Sequence, residues 1–159
     1  MYGPLAAIWA LALTRALVDP TPRVPLLFNW TPSLPYQVAW LTCGPWQYAR
    51  GDFVVFLFAG EAEEHYPGLK GQPFFKIVSG VAGDVISVRD RAVFVNGEAV
   101  GFAKTHAFDG RRLEPIAEGV IPPGWLYVRG TDANSFDSRY RSAGLVRIEQ
   151  IIGRVRPLL

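Results

Sequence analysis

The sequence predicts a mainly β domain, and three observations carry that prediction. Its 159 residues include 13 prolines and 16 glycines, a density of breakers that a helical bundle does not tolerate. From Gly51 onward, short apolar runs alternate with turn residues, which is the spacing of strands and hairpins. Asn96–Gly97 is a strong two-residue hairpin signal, because both positions tolerate positive φ. With 50% apolar and 19% charged residues, the chain can bury one real core and is not a disordered segment. The charge count is 16 basic against 14 acidic, net +2, which gives no electrostatic case for a nucleic-acid partner. Cys43 is the only cysteine, and His65 and His106 are the only histidines. That excludes a disulfide framework and leaves poor material for a metal site.

Taken in order, residues Met1–Val18 form the most continuous apolar stretch. Its run before Arg15 is 14 residues long, short of the roughly 20 that a full membrane span needs. Three readings compete: a short anchor with Arg15 snorkelling to the surface, a cleaved export signal, and a buried helix. Arg15 and Arg23 follow the stretch and nothing basic precedes it, so the positive-inside rule alone would place the following domain in the cytoplasm. Asp19–Leu41 carries prolines at 20, 22, 25, 32 and 35 and reads as an extended, turning linker. Phe53–Phe58 is apolar on both faces, as a strand covered on both sides would be. Glu61–Gln72 is polar and glycine-bearing, hence a surface loop. Phe74–Val78 is a second strand, and Gly80–Asp84 turns the chain. Val85–Arg89 and Ala92–Asn96 are strands joined at Asp90–Arg91. Ala103–Gly119 is an irregular excursion. Pro122–Gly124 turns into the strand Trp125–Arg129, Gly130–Gly144 is a polar loop, and Val146–Val155 closes the chain as one or two strands. No repeat or second-domain boundary interrupts this pattern.

The basic residues are lopsided, with thirteen arginines and only three lysines: Lys70, Lys76 and Lys104. Lysine can lose its proton when buried; arginine cannot. Lys70 and Lys104 fall in polar segments. Lys76 falls in a strand, where alternation places it on the same face as Phe74 and Val78. An apolar face disfavours the charged amine and makes it a candidate general base, although an edge-strand lysine with its head in water fits the residue type equally well. Ser33 is the candidate nucleophile, held stiffly between Pro32 and Pro35 with the Thr31 hydroxyl two residues away. Read alone, the same segment is a proline-rich loop with a solvated serine. Asn134-Ser135-Phe136-Asp137-Ser138-Arg139 reads locally as a capped turn with a salt bridge. Neither a G-x-S-x-G elbow nor a phosphate-binding loop is present.

The order of these pieces says more than any one of them. Thr31-Pro32-Ser33-Leu34-Pro35, Gly51-Asp52-Phe53-Val54-Val55-Phe56, Phe75-Lys76-Ile77-Val78 running to Ala82-Gly83-Asp84, and Asn134-Ser135-Phe136-Asp137-Ser138-Arg139-Tyr140 follow one another in that sequence. The chain thereby resembles the serine–lysine signal peptidase family from about Thr31 to its C-terminus. Its shortness and the Ser-Phe-Asp-Ser-Arg-Tyr form are most similar to the conjugal-transfer (TraF-like) peptidases within that family. Departures are Leu34 and Pro35-Tyr36-Gln37 after the nucleophile position, Ile77 after the lysine, and Gly130-Thr131-Asp132-Ala133-Asn134 at the opening of the last box.

The resemblance implies a signal-peptidase-like, mainly β fold with few short helices, preceded by a short apolar helix. It implies three parts: an anchor over 1–18, a linker over 19–30 and a peptidase domain over 31–159. It implies a Ser33–Lys76 dyad, with Thr31 and the Ser33 N–H stabilising the oxyanion, Ser135 aiming the lysine, and Asp137 paired with Arg139 as structural support. No metal or cofactor is needed. The expected partners are a membrane and a precursor protein or pilin subunit bound as an extended strand. The expected location is the outer, periplasmic face of a bacterial inner membrane, in conflict with the charge pattern around residues 1–18. Two alternatives stand beside this expectation: a general type I signal peptidase, and a non-catalytic assembly component of a conjugation apparatus.

Overall fold

The computed structural model of the chain describes residues 25–29, 31–44 and 46–158. The expectation for residues 1–18, and most of that for 19–30, lies outside these residues. Among the described residues no helix is long and apolar enough to cross a membrane.

The described chain is mainly β. Eleven strands follow in order: β1 (Leu26–Phe28), β2 (Val38–Thr42), β3 (Phe53–Leu57), β4 (Pro73–Gly80), β5 (Val85–Arg89), β6 (Ala92–Val95), β7 (Glu98–Phe102), β8 (Gly119–Val120), β9 (Trp125–Arg129), β10 (Val146–Arg147) and β11 (Ile151–Pro157). Three single 3₁₀ turns interrupt them, at Glu61–Glu64, Pro67–Leu69 and Ile148–Gln150. A seven-stranded sheet runs β1-β2-β11-β3-β4-β9-β10 and a four-stranded sheet runs β7-β6-β5-β8. Every strand pair is antiparallel.

Two apolar clusters account for the sequence of β3. Val54 and Phe56 face the larger one, with Val78 and Tyr127 from the same sheet and Ile86, Val93 and Val95 from the smaller sheet. Val55 faces the other way, into a cluster with Leu34, Ala39, Phe75 and Val155. The centre of the large sheet is thus covered on both faces, which is why its strands are apolar without interruption. The smaller sheet turns on Asp90–Arg91 and Asn96–Gly97. All four residues have positive φ, as two-residue hairpin turns of this twist require.

The two Gly-Asp boxes act as staples for turns. The Asp84 carboxylate accepts hydrogen bonds from Arg50, from the Val81 N–H at 2.8 Å and from Asn96 Nδ2 at 2.9 Å. The Arg50 contact, foremost among these, holds its pKa down at about 2. Asp52 accepts from the Ala49 N–H at 2.9 Å and pairs with Arg154 at 2.5 Å.

The proline-rich entry is more regular than the linker reading allows. Leu26–Phe28 pairs with Val38–Trp40, and β2 in turn pairs with β11. The prolines do not prevent this, because Pro25 precedes β1 while Pro32 and Pro35 sit in the loop between the strands, where no ladder N–H is needed. Glu61–Gln72 likewise carries two of the 3₁₀ turns rather than running as a plain loop.

Candidate active site

The loop from Asn29 to Gln37 joins β1 to β2, with Ser33 at its centre. The Asn29 N–H donates to the Gln37 carbonyl at 2.9 Å and closes it. Leu34, next to Ser33, is 2% exposed in the smaller apolar cluster and pins the loop to the sheet. On its other side the Ser33 carbonyl accepts hydrogen bonds from the Thr131 and Asp132 N–H groups at 2.9 and 3.4 Å. The nucleophile candidate is therefore tied to the segment that follows β9, about a hundred residues away in the chain. The Thr31 and Ser33 hydroxyl oxygens are 3.4 Å apart.

Lys76 lies in the middle of β4, only 3% exposed. Phe74 and Val78 on its face belong to the larger core, whereas Phe75 and Ile77 belong to the other cluster. Its ammonium nitrogen is 5.4 Å from the centre of the Phe74 ring. Burial pulls its pKa down to about 8; the Asp137 carboxylate opposes the shift and the Arg139 guanidinium adds to it. Roughly one such lysine in ten is neutral at pH 7, against well under one in a thousand for a free one.

The strands that carry the two sides are neighbours. Ile77 is opposite Arg129 in the β4–β9 pair, and Gly130 follows β9 directly. Gly130 has no room for a side chain. A Cβ there would lie within 3.0 Å of both the Ser135 hydroxyl and the Ser33 carbonyl oxygen. The Ser33 carbonyl and the Ser135 hydroxyl thus converge on a single residue that has to be glycine.

Beneath them lies a buried ionic fork. Arg139 Nε and Nη2 each donate to one Asp137 carboxylate oxygen at 2.8 Å. The same carboxylate accepts from the Gly130 N–H at 2.8 Å and the Arg139 N–H at 3.1 Å. Arg139 also donates to the Ser135 and Asp132 carbonyls at 2.8 and 3.0 Å. Four donors on one carboxylate are what a buried charge needs, and the fork fixes the backbone of both Gly130 and Ser135.

Ser135 departs from the sequence expectation. Its hydroxyl is buried and has no hydrogen-bond partner among the described residues, and it makes no bond to Lys76. The reason is geometric: the hydroxyl is turned into the space over Gly130. The Thr31 hydroxyl is also already engaged, donating to Asn29 Oδ1 at 2.8 Å. Two residues of this arrangement were not singled out as functional in the sequence. Gly130 is visible only through the fold; Asn29 carries a weak local signal, an asparagine two residues before a hydroxyl residue, as in an Asx-turn.

Two hollows border the region. One, of about 240 Å³, is lined by Arg129, Gly130, Thr131 and Arg139 together with β7 and Lys104. A larger, mostly apolar one of about 790 Å³ lies between the 61–72 and 103–114 segments and reaches Phe74 on the Lys76 face. Among the described residues no group of three His, Cys, Asp or Glu side chains could hold a metal ion.

What the fold defines is a mainly β domain with a desolvated lysine in β4 and a serine loop hydrogen-bonded to the segment that follows the neighbouring strand β9. The chain belongs to the signal peptidase family: the family model for "Signal peptidase, peptidase S26" matches residues 6–159. It is 35% identical over 88 residues to a conjugal transfer protein TraF of Agrobacterium fabrum, covering 54% of this chain and 48% of that protein. It is 34% identical over 98 residues to a signal peptidase I of Bacillus caldolyticus, covering 54% and 53%. A conjugal transfer protein TraF of Agrobacterium tumefaciens is 28% identical over 148 residues, with 85% and 81% covered. The chain thus spans about half the length of the first two relatives. The crystal structure of a signal peptidase I from Enterococcus faecalis matches 70% of this chain and 98% of its own at 21% identity, with a TM-score of 0.40.

Proposed function

We propose that this chain is a membrane-associated serine endopeptidase that cuts exported precursor proteins with a Ser33–Lys76 dyad. The observation that supports the reading is the buried Lys76 in β4 beside β9, the strand whose following segment binds the Ser33 carbonyl. In the first step the Ser33 hydroxyl gives its proton to neutral Lys76 as its oxygen attacks the scissile carbonyl. The Ser33 N–H and the Thr31 hydroxyl meet the oxyanion, a donor of this kind being worth about 3–4 kcal/mol. The C–N bond then breaks, and the Lys76 ammonium passes its proton to the departing amine. Lys76 then takes a proton from water, the resulting hydroxide adds to the acyl carbon, and as the ester C–O bond breaks Lys76 returns that proton to the Ser33 oxygen. Asp137 and Arg139 take no part in proton transfer; they hold Gly130 and Ser135 in place.

The substrate lies extended beside a strand, with small residues ahead of the cut. Pilin subunits of a conjugative transfer system are the preferred substrate class, and the catalytic domain works on the periplasmic face of a bacterial inner membrane. Similarity to conjugal transfer proteins favours that narrow role, whereas similarity to a signal peptidase I favours a broader one. The test is co-expression with a candidate pilin precursor and with an unrelated secreted precursor, followed by intact-mass analysis. Processing of the first alone supports the narrow role, and processing of both supports the broad one. Ser33→Ala and Lys76→Arg should each abolish processing, since guanidinium cannot surrender its proton. Processing by either variant at the parental rate would overturn the dyad.

A further inference from the structure

We infer that Asn29 is a positioning residue of the nucleophile loop, acting through Thr31 and the backbone around Ser33; this rests on Ser33 being the nucleophile. The Asn29 amide has two acceptor and two donor positions, and the structure fills all four within the loop. Its Oδ1 accepts from the Thr31 N–H at 3.1 Å and from the Thr31 hydroxyl at 2.8 Å. Its Nδ2 donates to the Leu34 carbonyl at 3.3 Å and the Tyr36 carbonyl at 2.9 Å. The orientation of the amide follows from its partners, because a backbone N–H can only donate and a carbonyl can only accept.

These bonds reach both sides of Ser33, to residue 31 before it and residues 34 and 36 after it. One side chain therefore spans the loop from within, where the prolines remove two of its backbone donors and leave the segment short of bonds of its own. The Thr31 hydroxyl has a single proton. With that proton held by Asn29, a lone pair of its oxygen is free toward the Ser33 hydroxyl, 3.4 Å away. Asn29 thus sets two things: where the Ser33 oxygen stands, and which way the Thr31 hydroxyl points before substrate arrives. When an oxyanion forms, the Thr31 proton must turn from Asn29 to the developing charge, and Asn29 takes it back afterwards.

The test uses the full chain in detergent and a quenched-fluorescence peptide with alanine at the first and third positions before the scissile bond. Asn29→Ala should lower kcat by between about tenfold and a hundredfold, the usual scale for a misplaced reacting group, with KM and the thermal midpoint little changed. Asn29→Asp keeps the acceptors for Thr31 while losing the donors to Leu34 and Tyr36, and should recover part of that loss. Combined with Thr31→Val, Asn29→Ala should add much less than it costs alone, because part of its work passes through that hydroxyl. If Asn29→Ala does not fold, Asn29→Asp and its combination with Thr31→Val carry the same comparison. Parental kcat in both Asn29 variants, or full additivity with Thr31→Val, would overturn the inference while leaving Ser33 in place. Cleavage by Ser33→Ala would instead overturn the nucleophile assignment, and this inference with it.

Discussion

The two sides of the candidate site are held by different physics. On the lysine side, Lys76, Ser135, Asp137, Ser138 and Arg139 are all buried, and two opposite charges share a carboxylate fork that also fixes two backbone segments. On the serine side, Thr31, Pro32 and Pro35 are exposed, and the loop rests on Leu34, one asparagine and two bonds to the Ser33 carbonyl. A buried ionic network is costly to damage, because a lost partner strands a charge away from water. An exposed, locally bonded loop is inexpensive to damage, because water replaces what is lost. Injury to the lysine side should therefore appear in stability, and injury to the serine side in rate.

The largest expected effect is on the buried fork. Asp137→Ala leaves the Arg139 guanidinium unpaired at 4% side-chain exposure and strips the Gly130 and Arg139 N–H groups of their acceptor. Loss of about 3–5 kcal/mol is expected, measured by denaturant unfolding against the parent. A loss below about 1 kcal/mol would mean that water enters the fork, and the contrast between the two sides would fail.

Lys76 tests the same contrast with the opposite sign. Its pKa is about 8 when folded and 10.5 when free. Below pH 8 both states hold the proton, so the folded protein carries the full penalty of burying the ammonium. Between about 8 and 10.5 the folded lysine loses its proton before the unfolded one does, and the penalty shrinks; above that range it is gone. The penalty is on the order of 3 kcal/mol at neutral pH. Lys76→Met should thus be inactive yet more stable than the parent at pH 7, with the difference closing toward pH 10.5. Activity of the parent should rise with pH along a limb near pH 8. Strong destabilisation of Lys76→Met at pH 7 would mean that Lys76 is held as a paired cation.

A smaller effect lies at the seam between the two sides. A Cβ at residue 130 would stand 2.6 Å from the Ser33 carbonyl oxygen, a backbone atom that cannot swing away. Gly130→Ala should cost about 1–3 kcal/mol, as overpacking does, and should also lose most activity because the nucleophile loop is the softer partner. Retained activity with lowered stability would show that the Ser135 side gives way instead.

Which parts of this were legible in the sequence follows the same division. The strands β3, β4, β5, β6 and β9 announce themselves because their apolar runs are local properties. Lys76 stood out because alternation along one strand suffices to place it on an apolar face. β1 and β2 look like linker because β1 pairs only with β2, and β2 is tied to the sheet by β11, more than a hundred residues away, a pairing no local rule reports. The bidentate Asp137–Arg139 pair lies two positions apart in sequence and is legible as a local salt bridge, but its four-donor burial is not. Gly130 gains its meaning only after the hairpin loop has folded back over the end of β9, whereas Asn29 acts within its own loop and carries a weak local signal. The close approach of the Ser135 hydroxyl to Gly130 is of the same kind, since the two meet only in the folded chain.

The smallest effect on stability is expected at Thr31, and there the contrast is sharpest. Thr31 is exposed, and Thr31→Val keeps its shape while removing one hydroxyl. The lost bond to Asn29 is solvent-accessible, so stability should fall by no more than about 1 kcal/mol. The free protein offers the hydroxyl to Asn29; in the proposed reaction the transition state would offer it to the oxyanion, whose charge draws the proton more strongly. On that proposal the difference between those two bonds is the contribution of Thr31, and it would fall on kcat and not on substrate binding. A fall in kcat on the order of a hundredfold with KM nearly unchanged is expected, read from initial rates with the quenched peptide. A rise in KM alone would assign Thr31 to the wall of the substrate groove. A large loss of stability would place the serine side under the same physics as the lysine side.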